Sequence, residues 1–406
     1  MAITSTTAGT HGGGIYFGTS GGSTLNIYTA TTISQVYANG QGGLAYFGGT
    51  TNTATMTGSS SITTVAASTG GTLTGGIFYM FGTTDNTVTV TSSTISTVTT
   101  TSQGGCFYFY GTTQSLTLTG ATISTVTAGA DGGLLYSNPN TQILTASITL
   151  GSTITGVKSS TLGSLISLRK GPTTPTLELT VTSSTMSCQT TDLQPNLVAT
   201  LGNLDSLTPT ATIGGAFYFE GTTSTSWVLS TSNTYKNCFT AGSGALFYLP
   251  TDLTFEDTGS TFKQTAALQG AIYCSGCSAT FENSVFKDTY AGYGSIIYMM
   301  NDALVEIINP TMSFGKARVY GGAIYAGGSS NTRSTPTIPT LTISGCTTGP
   351  TYFDSKQDGG FLYSDNPDLD VVISSCSFSN LYAHDYGGFA KGVQMDSFSL
   401  SSCGST

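Results

Sequence analysis

Residues able to carry chemistry are few in this sequence, and they lie far apart. Cys346, Cys376 and Cys403 each end the same short context, an apolar residue, Ser, a small residue and Cys. In stacked coils such residues would sit about 4.8 Å apart, inside the Cα range of a disulfide. The spacing fits either a buried ladder of free thiols or disulfides between coils. Cys274 and Cys277 form a lone Cys-x-x-Cys with no second pair and no nearby His, which falls short of a zinc ligand set. Asp365, Asp368 and Asp370 are the densest acids and could in principle hold calcium. They align with Ser137 to Thr141, however, and that alignment marks a turn. His11 and His384 have no companion nucleophile. Polysaccharide cleavage would need paired carboxylates, calcium or an Arg/Lys base in one groove. The expectation is a chain that is not an enzyme and holds no metal or cofactor.

The elements that must position these residues come from a repeat. Gly104 to Gly111, reading Gly-Gly-Cys-Phe-Tyr-Phe-Tyr-Gly, returns in near-copies that start at Gly12, Gly42, Gly75, Gly104, Gly132, Gly163, Gly214, Gly244, Gln269, Gly294, Gly321, Gly359 and Gly387. A fluctuating period near 30 residues is the mark of stacked coils rather than of a globular fold. After each glycine-led strand come two further half-motifs, as in Thr87 to Thr91 followed by Thr94 to Val98. We read both as period-2, β-branched strands with Gly, Ser and Asn at the corners. The fold class is therefore all-β, a three-sided parallel β-helix of about 13 coils with three strands per coil. Right-handedness follows from the general preference for right-handed crossovers. At about 4.8 Å per coil the body would be on the order of 60 Å long.

Counting the first glycine as position one, the fourth position is apolar throughout and should face inward. The fifth, which should face outward, is tyrosine in 11 of 13 coils: Tyr16, Tyr46, Tyr79, Tyr108, Tyr136, Tyr218, Tyr248, Tyr273, Tyr298, Tyr325 and Tyr363. A strand with one wet face should alternate apolar with polar. This one is apolar on both, so a half-exposed stripe of several hundred Å² is expected, more than a monomer usually shows to water. Copies of the same protein are the leading cover, since Tyr adds apolar area while keeping a polar tip. Glycans or a polysaccharide, another segment or partner, and simple stacking of the rings along the coils are the others.

Threonines form a second pattern. Thr53, Thr55 and Thr57, then Thr87, Thr89 and Thr91, then Ser115, Thr117 and Thr119 should lie in ranks on one outer face, losing regularity after Leu144. Such ranks resemble those of ice-binding β-helices. β-branched propensity alone also explains them. The same hydroxyls could carry O-glycans, whereas no Asn-x-Ser/Thr sequon occurs among 16 asparagines.

Charge is scarce, with 11 Lys+Arg against 20 Asp+Glu for a net −9, and no basic residue precedes Lys158. A nucleic-acid partner lacks its electrostatic footprint, and no apolar run is long enough to insert in a membrane. The N-terminal residues do not read as a signal peptide. Both ends break off within a coil, which suggests a segment of a longer chain or a unit that assembles end to end, and we read one β-helix over 1–406 with insertions at 189–213 and 327–340.

The motifs Gly321 to Tyr325 (Gly-Gly-Ala-Ile-Tyr), Gly214 to Tyr218 and Gly270 to Tyr273 resemble the Gly-Gly-Ala-Ile repeats of polymorphic outer-membrane proteins and, more loosely, the pectate-lyase-like right-handed β-helices of surface proteins. The companion Phe-x-x-Asn is reduced to partial matches at Phe281, Tyr235 and Phe378. The resemblance implies an extracellular or cell-surface protein. The functional expectation is a structural or adhesive rod that assembles with itself and is glycosylated on Ser/Thr. The alternatives are an ice-binding protein and a carbohydrate-binding or carbohydrate-processing β-helix.

Overall fold

The computed structural model describes residues 2–18, 21–67, 71–190, 213–328, 338–348, 353–393 and 395–405. The expected insertion at 189–213 lies almost entirely outside these residues, and that at 327–340 mostly so. Among the described residues every regular element is a β-strand, and none is a helix long and apolar enough to cross a membrane. The strands pair in parallel into three large sheets, one of 16 strands and two of 13, and a short two-stranded pair of Gly40–Gln41 with Leu73–Thr74. They form a β-solenoid of about 12 turns, close to the 13 coils counted from the glycines. Contacts divide the chain into two compact units, Met1–Thr191 with Ala216–Thr223, and Asp192–Gly215 with Ser224–Thr406.

In the first unit each coil supplies one strand to each sheet. Phe107–Phe109 lies in the glycine-led sheet, Thr113–Thr119 in a second sheet, and Thr122–Ala128 in a third. Registers are uniform: Phe78 pairs with Phe107, Val88 with Leu116, and Ile95 with Ile123. Identical or similar side chains therefore stack rung on rung. Phe78, Phe107, Val88, Leu116, Ile95 and Ile123 are all fully buried. The second unit follows the same plan, with Ile272 pairing with Ile297, Phe255 with Ala279, and Phe262 with Phe286.

The double glycine that announces each coil has two distinct causes. Gly104 adopts φ +65°, and a Cβ there would meet the Phe107 carbonyl oxygen at 2.5 Å. It turns the chain into the short strand through a left-handed conformation that side chains resist. Gly105 is instead a point of contact between coils, where a Cβ would lie 2.1 Å from the Gly133 carbonyl oxygen and 2.6 Å from Val126 Cγ1.

The third sheet departs from the expected period of two. Ile95 and Val98 both face the core, three residues apart, because Thr97 between them has φ +54°. The irregularity recurs in register at Ser5, Gln35, Thr64, Thr97, Thr125 and Gly156 in the first unit, and at Asn237, Gln264, Asp288, Phe314 and Asn380 in the second. A left-handed residue rotates the strand so that two successive outward positions are followed by an inward one. A non-glycine residue pays roughly 1–2 kcal/mol for that conformation.

Candidate functional site

The fifth-position tyrosines form columns of stacked rings. In the first unit Tyr16, Tyr46, Tyr79, Tyr108 and Tyr136 follow one another at centroid separations of 5.1, 5.6, 4.5 and 5.2 Å. In the second, Tyr248, Tyr273, Tyr298, Tyr325 and Tyr363 do so at 4.8, 5.5, 4.7 and 5.4 Å. The parallel register dictates this, since like residues must lie one strand spacing apart.

The columns are far less exposed than the alternation argument required. Tyr46, Tyr79, Tyr108 and Tyr136 are 4–7% exposed, and Tyr298, Tyr325 and Tyr363 are 7–8%. Tyr218 is also buried, Tyr248 and Tyr273 are intermediate, and Tyr16 stands 56% exposed. The expected half-exposed stripe is thus corrected: each ring covers the faces of the next, and a second aromatic column covers the flank. Phe81 and Tyr110, stacked at 4.6 Å, pack against the first group. Tyr293 and Tyr320 pack against the second, with Tyr320 stacked on Tyr363 at 4.3 Å. The signal for the second column was present in the sequence as aromatics two residues after the tyrosine or just before the glycine.

Several tyrosine hydroxyls are held by neighbours. Gln41 Nε2 donates to the Tyr79 hydroxyl at 3.1 Å, Asn138 Nδ2 donates to that of Tyr108 at 2.8 Å, and the Tyr325 hydroxyl donates to Asp365 Oδ2 at 2.9 Å. Burial raises the phenol pKa of Tyr46, Tyr79, Tyr108 and Tyr136 in the first unit and of Tyr273, Tyr298, Tyr325 and Tyr363 in the second, to about 12 at Tyr298. In the first unit the column is interrupted at Ser167, which pairs in register with Tyr136 and Tyr218. Arg169 lies in that coil and forms ion pairs with Asp131 at 3.1 Å and Glu220 at 2.7 Å.

The threonine ranks are more regular than the sequence indicated. Thr53, Thr87, Ser115 and Thr145 are in register, as are Thr55, Thr89, Thr117, Ser147 and Thr180, and Thr91, Thr119 and Thr149. All are partly exposed, alternating along each strand with the buried aliphatics. The array therefore continues past Leu144 through Thr145, Ser147 and Thr149 to Thr180 and Thr182, with Glu178 ending the first rank. Its pitch is about 7 Å along a strand and about 4.8 Å between strands.

Cys346, Cys376 and Cys403 are free thiols in the second unit. They occupy the corner position that is filled by serine in most other coils, Ser60, Ser93, Ser152 and Ser184 in the first unit and Ser260 and Ser284 in the second, with Ala121 among the exceptions. There Ser93 Oγ donates to the Thr91 carbonyl at 2.8 Å, and Ser184 Oγ to that of Thr182 at 2.9 Å. Cys376 Sγ makes the same contact with the Ser374 carbonyl at 3.1 Å and Cys403 Sγ with that of Ser401 at 3.3 Å. The backbone N–H of Cys346 donates to Cys376 Sγ at 3.3 Å. Cys274 and Cys277, which fall short of a zinc ligand set, are joined in a disulfide with a Cα separation of 5.4 Å.

The remaining candidates are dispersed. Asp365 takes the tyrosine hydroxyl, Asp370 Oδ1 accepts from Ser397, and the Asp368 N–H caps Asn366 in a turn. His11 stacks on Tyr46 at 5.1 Å, and His384 packs edge-on to Tyr382. One ionisable group escaped notice in the sequence. Asp257, 1% exposed, accepts hydrogen bonds from Ser230 Oγ at 2.5 Å, Ser284 Oγ at 2.6 Å and the Ser260 N–H at 3.3 Å. Desolvation raises its carboxyl pKa in spite of these donors.

No family model matches this chain, and no curated protein or solved structure matches it.

Proposed function

We infer that this chain is a structural and adhesive element of a cell exterior, without catalytic activity of its own, that associates side to side with copies of itself. The observation that supports the reading is the in-register threonine array of the first unit. A face whose side chains repeat with the strand spacing is commensurate with the same face of another copy, so a fit at one rung is a fit at all of them. The tyrosine columns, mostly covered within the chain, leave that role to the threonine face. The outward Ser and Thr hydroxyls of the third sheet are the natural acceptors for O-linked glycans. An oxidising exterior agrees with the Cys274–Cys277 disulfide.

The test is sedimentation velocity of the chain and of Thr89→Lys with Thr117→Lys, which places two like charges at the centre of the array. The expected result is loss of oligomers at unchanged β-sheet circular dichroism. Association that survives the double variant would overturn the reading.

The same array supports a second reading, adsorption to a solid lattice such as ice, because ranked hydroxyl and methyl groups can match a crystalline repeat. An ice-growth inhibition assay on the chain and the double variant separates the two. A carbohydrate role has less support, because the rings most suited to stacking on sugars already stack on each other. Release of reducing sugars from common polysaccharides would contradict the non-catalytic assignment.

A further inference from the structure

The corner column, mostly serine in earlier coils, ends in the second unit with three thiols in successive coils, and Cys376 is in contact with Cys346. Cys346 and Cys376 are 1% and 3% exposed. Their corners are locked in register on both sides, since Ser344 pairs with Ser374 and Thr347 with Ser377. Neighbouring parallel strands lie about 4.8 Å apart, within the Cα range that a disulfide bridges. The Cys346 N–H already donates to Cys376 Sγ at 3.3 Å. We propose that Cys346 and Cys376 are a redox modification site, at which oxidation closes a disulfide between successive coils.

The central thiol is the natural nucleophile. A hydrogen bond from the Cys346 side chain draws the Cys376 pKa down, while Cys346, the donor and the more buried partner, is raised. The thiolate is the reactive form. With a small-molecule disulfide such as oxidised glutathione as oxidant, the Cys376 thiolate attacks one sulfur and expels one glutathione thiolate, leaving a mixed disulfide. Cys346 loses its proton to solvent and attacks the Cys376 sulfur, expelling the second glutathione. Two protein thiols are oxidised and one glutathione disulfide is reduced. Because both sulfurs are buried, exchange proceeds through local opening of the corner. Serine cannot perform this step, so the cysteines add a cross-link that the serine corners of Ser93, Ser152, Ser260 and Ser284 cannot form.

The experiment uses the full chain, equilibrated with oxidised glutathione, quenched in acid, denatured, labelled with N-ethylmaleimide and mapped by peptide mass spectrometry. The expected result is a cross-linked peptide pair containing Cys346 and Cys376, loss of both labels and full labelling of Cys403. Dithiothreitol should restore the labels. Cys376→Ser should leave Cys346 fully labelled, and it should fold, since serine fills this corner at Ser93, Ser152, Ser260 and Ser284. Complete labelling of Cys346 and Cys376 while Cys274–Cys277 stays bonded would overturn the proposal. So would a mixed disulfide that never resolves, or a Cys376–Cys403 bond formed in its place.

Discussion

Replacing Tyr108 by alanine separates a ring that holds the fold from a ring that waits for a partner. Tyr108 is 6% exposed, stacks on Tyr79 at 4.5 Å and on Tyr136 at 5.2 Å, and accepts a hydrogen bond from Asn138. A buried aromatic covers about 150–250 Å², which at about 25 cal/mol per Å² is roughly 4–6 kcal/mol before relaxation. Measured aromatic-to-alanine losses in cores run at about 3–5 kcal/mol, and we expect Tyr108→Ala to fall in that range. Tyr16 is the internal control. It is 56% exposed and meets the tyrosine column on one side only, so Tyr16→Ala should cost about 1 kcal/mol or less. Solenoid stability is local, so the assay is amide hydrogen exchange in the peptides covering Phe78–Met80 and Leu135–Ser137. At about 1.4 kcal/mol per decade, Tyr108→Ala should speed exchange there by about a hundredfold to several thousandfold, and Tyr16→Ala by less than about tenfold in the coil it adjoins. Equal, small effects from both variants would refute the claim that the column is covered within the chain.

Three further outcomes follow from the geometry. Gly105→Ala should cost about 3 kcal/mol or prevent folding, because its new methyl would meet a backbone carbonyl that cannot move aside; a urea midpoint within error of the parent would contradict this. Thr125→Asn should stabilise by about 0.5–1 kcal/mol, since Thr125 has φ +53° and asparagine tolerates that conformation better than a β-branched residue. Asn237 and Asn380 occupy the equivalent position in the second unit, and a lowered melting temperature would count against the argument. Asp257, whose pKa is raised by burial, binds its proton more tightly folded than unfolded. Its contribution is therefore fully present below the unfolded carboxylate value near 3.9 and lost as pH rises through the folded value. Across that window Asp257→Asn should be less pH-sensitive in thermal melts than the parent, and parallel profiles would exclude the assignment.

The architecture was legible because a parallel register repeats itself in the sequence. Glycine at the corner and apolar residues at the fourth position recur wherever the chain completes a coil and place the first sheet, and the two β-branched half-motifs after them place the other two. The strand from Thr94 looks like simple alternation in the sequence, because the backbone conformation at Thr97 leaves no chemical mark: threonine is a residue one expects in a strand, not in a left-handed kink. Exposure was misjudged for a related reason. Period-2 reasoning treats each strand singly, so it puts Tyr79 on a wet face. In the fold Tyr46 and Tyr108 lie directly on either side of that ring, and Phe81 lies beside it. Asp257 was invisible because its hydrogen-bond donors come from three different coils.

The close approach at the second glycine also governs how such a chain can change length. Each corner is fitted only to the corner of the adjacent turn, as Gly105 is to Gly133. Duplicating or excising one whole turn would present every surviving corner with an equivalent neighbour. Losing a single residue within a turn would instead shift three strands against theirs. Evolution can therefore lengthen or shorten this protein in steps of one full circuit while leaving its cross-section untouched.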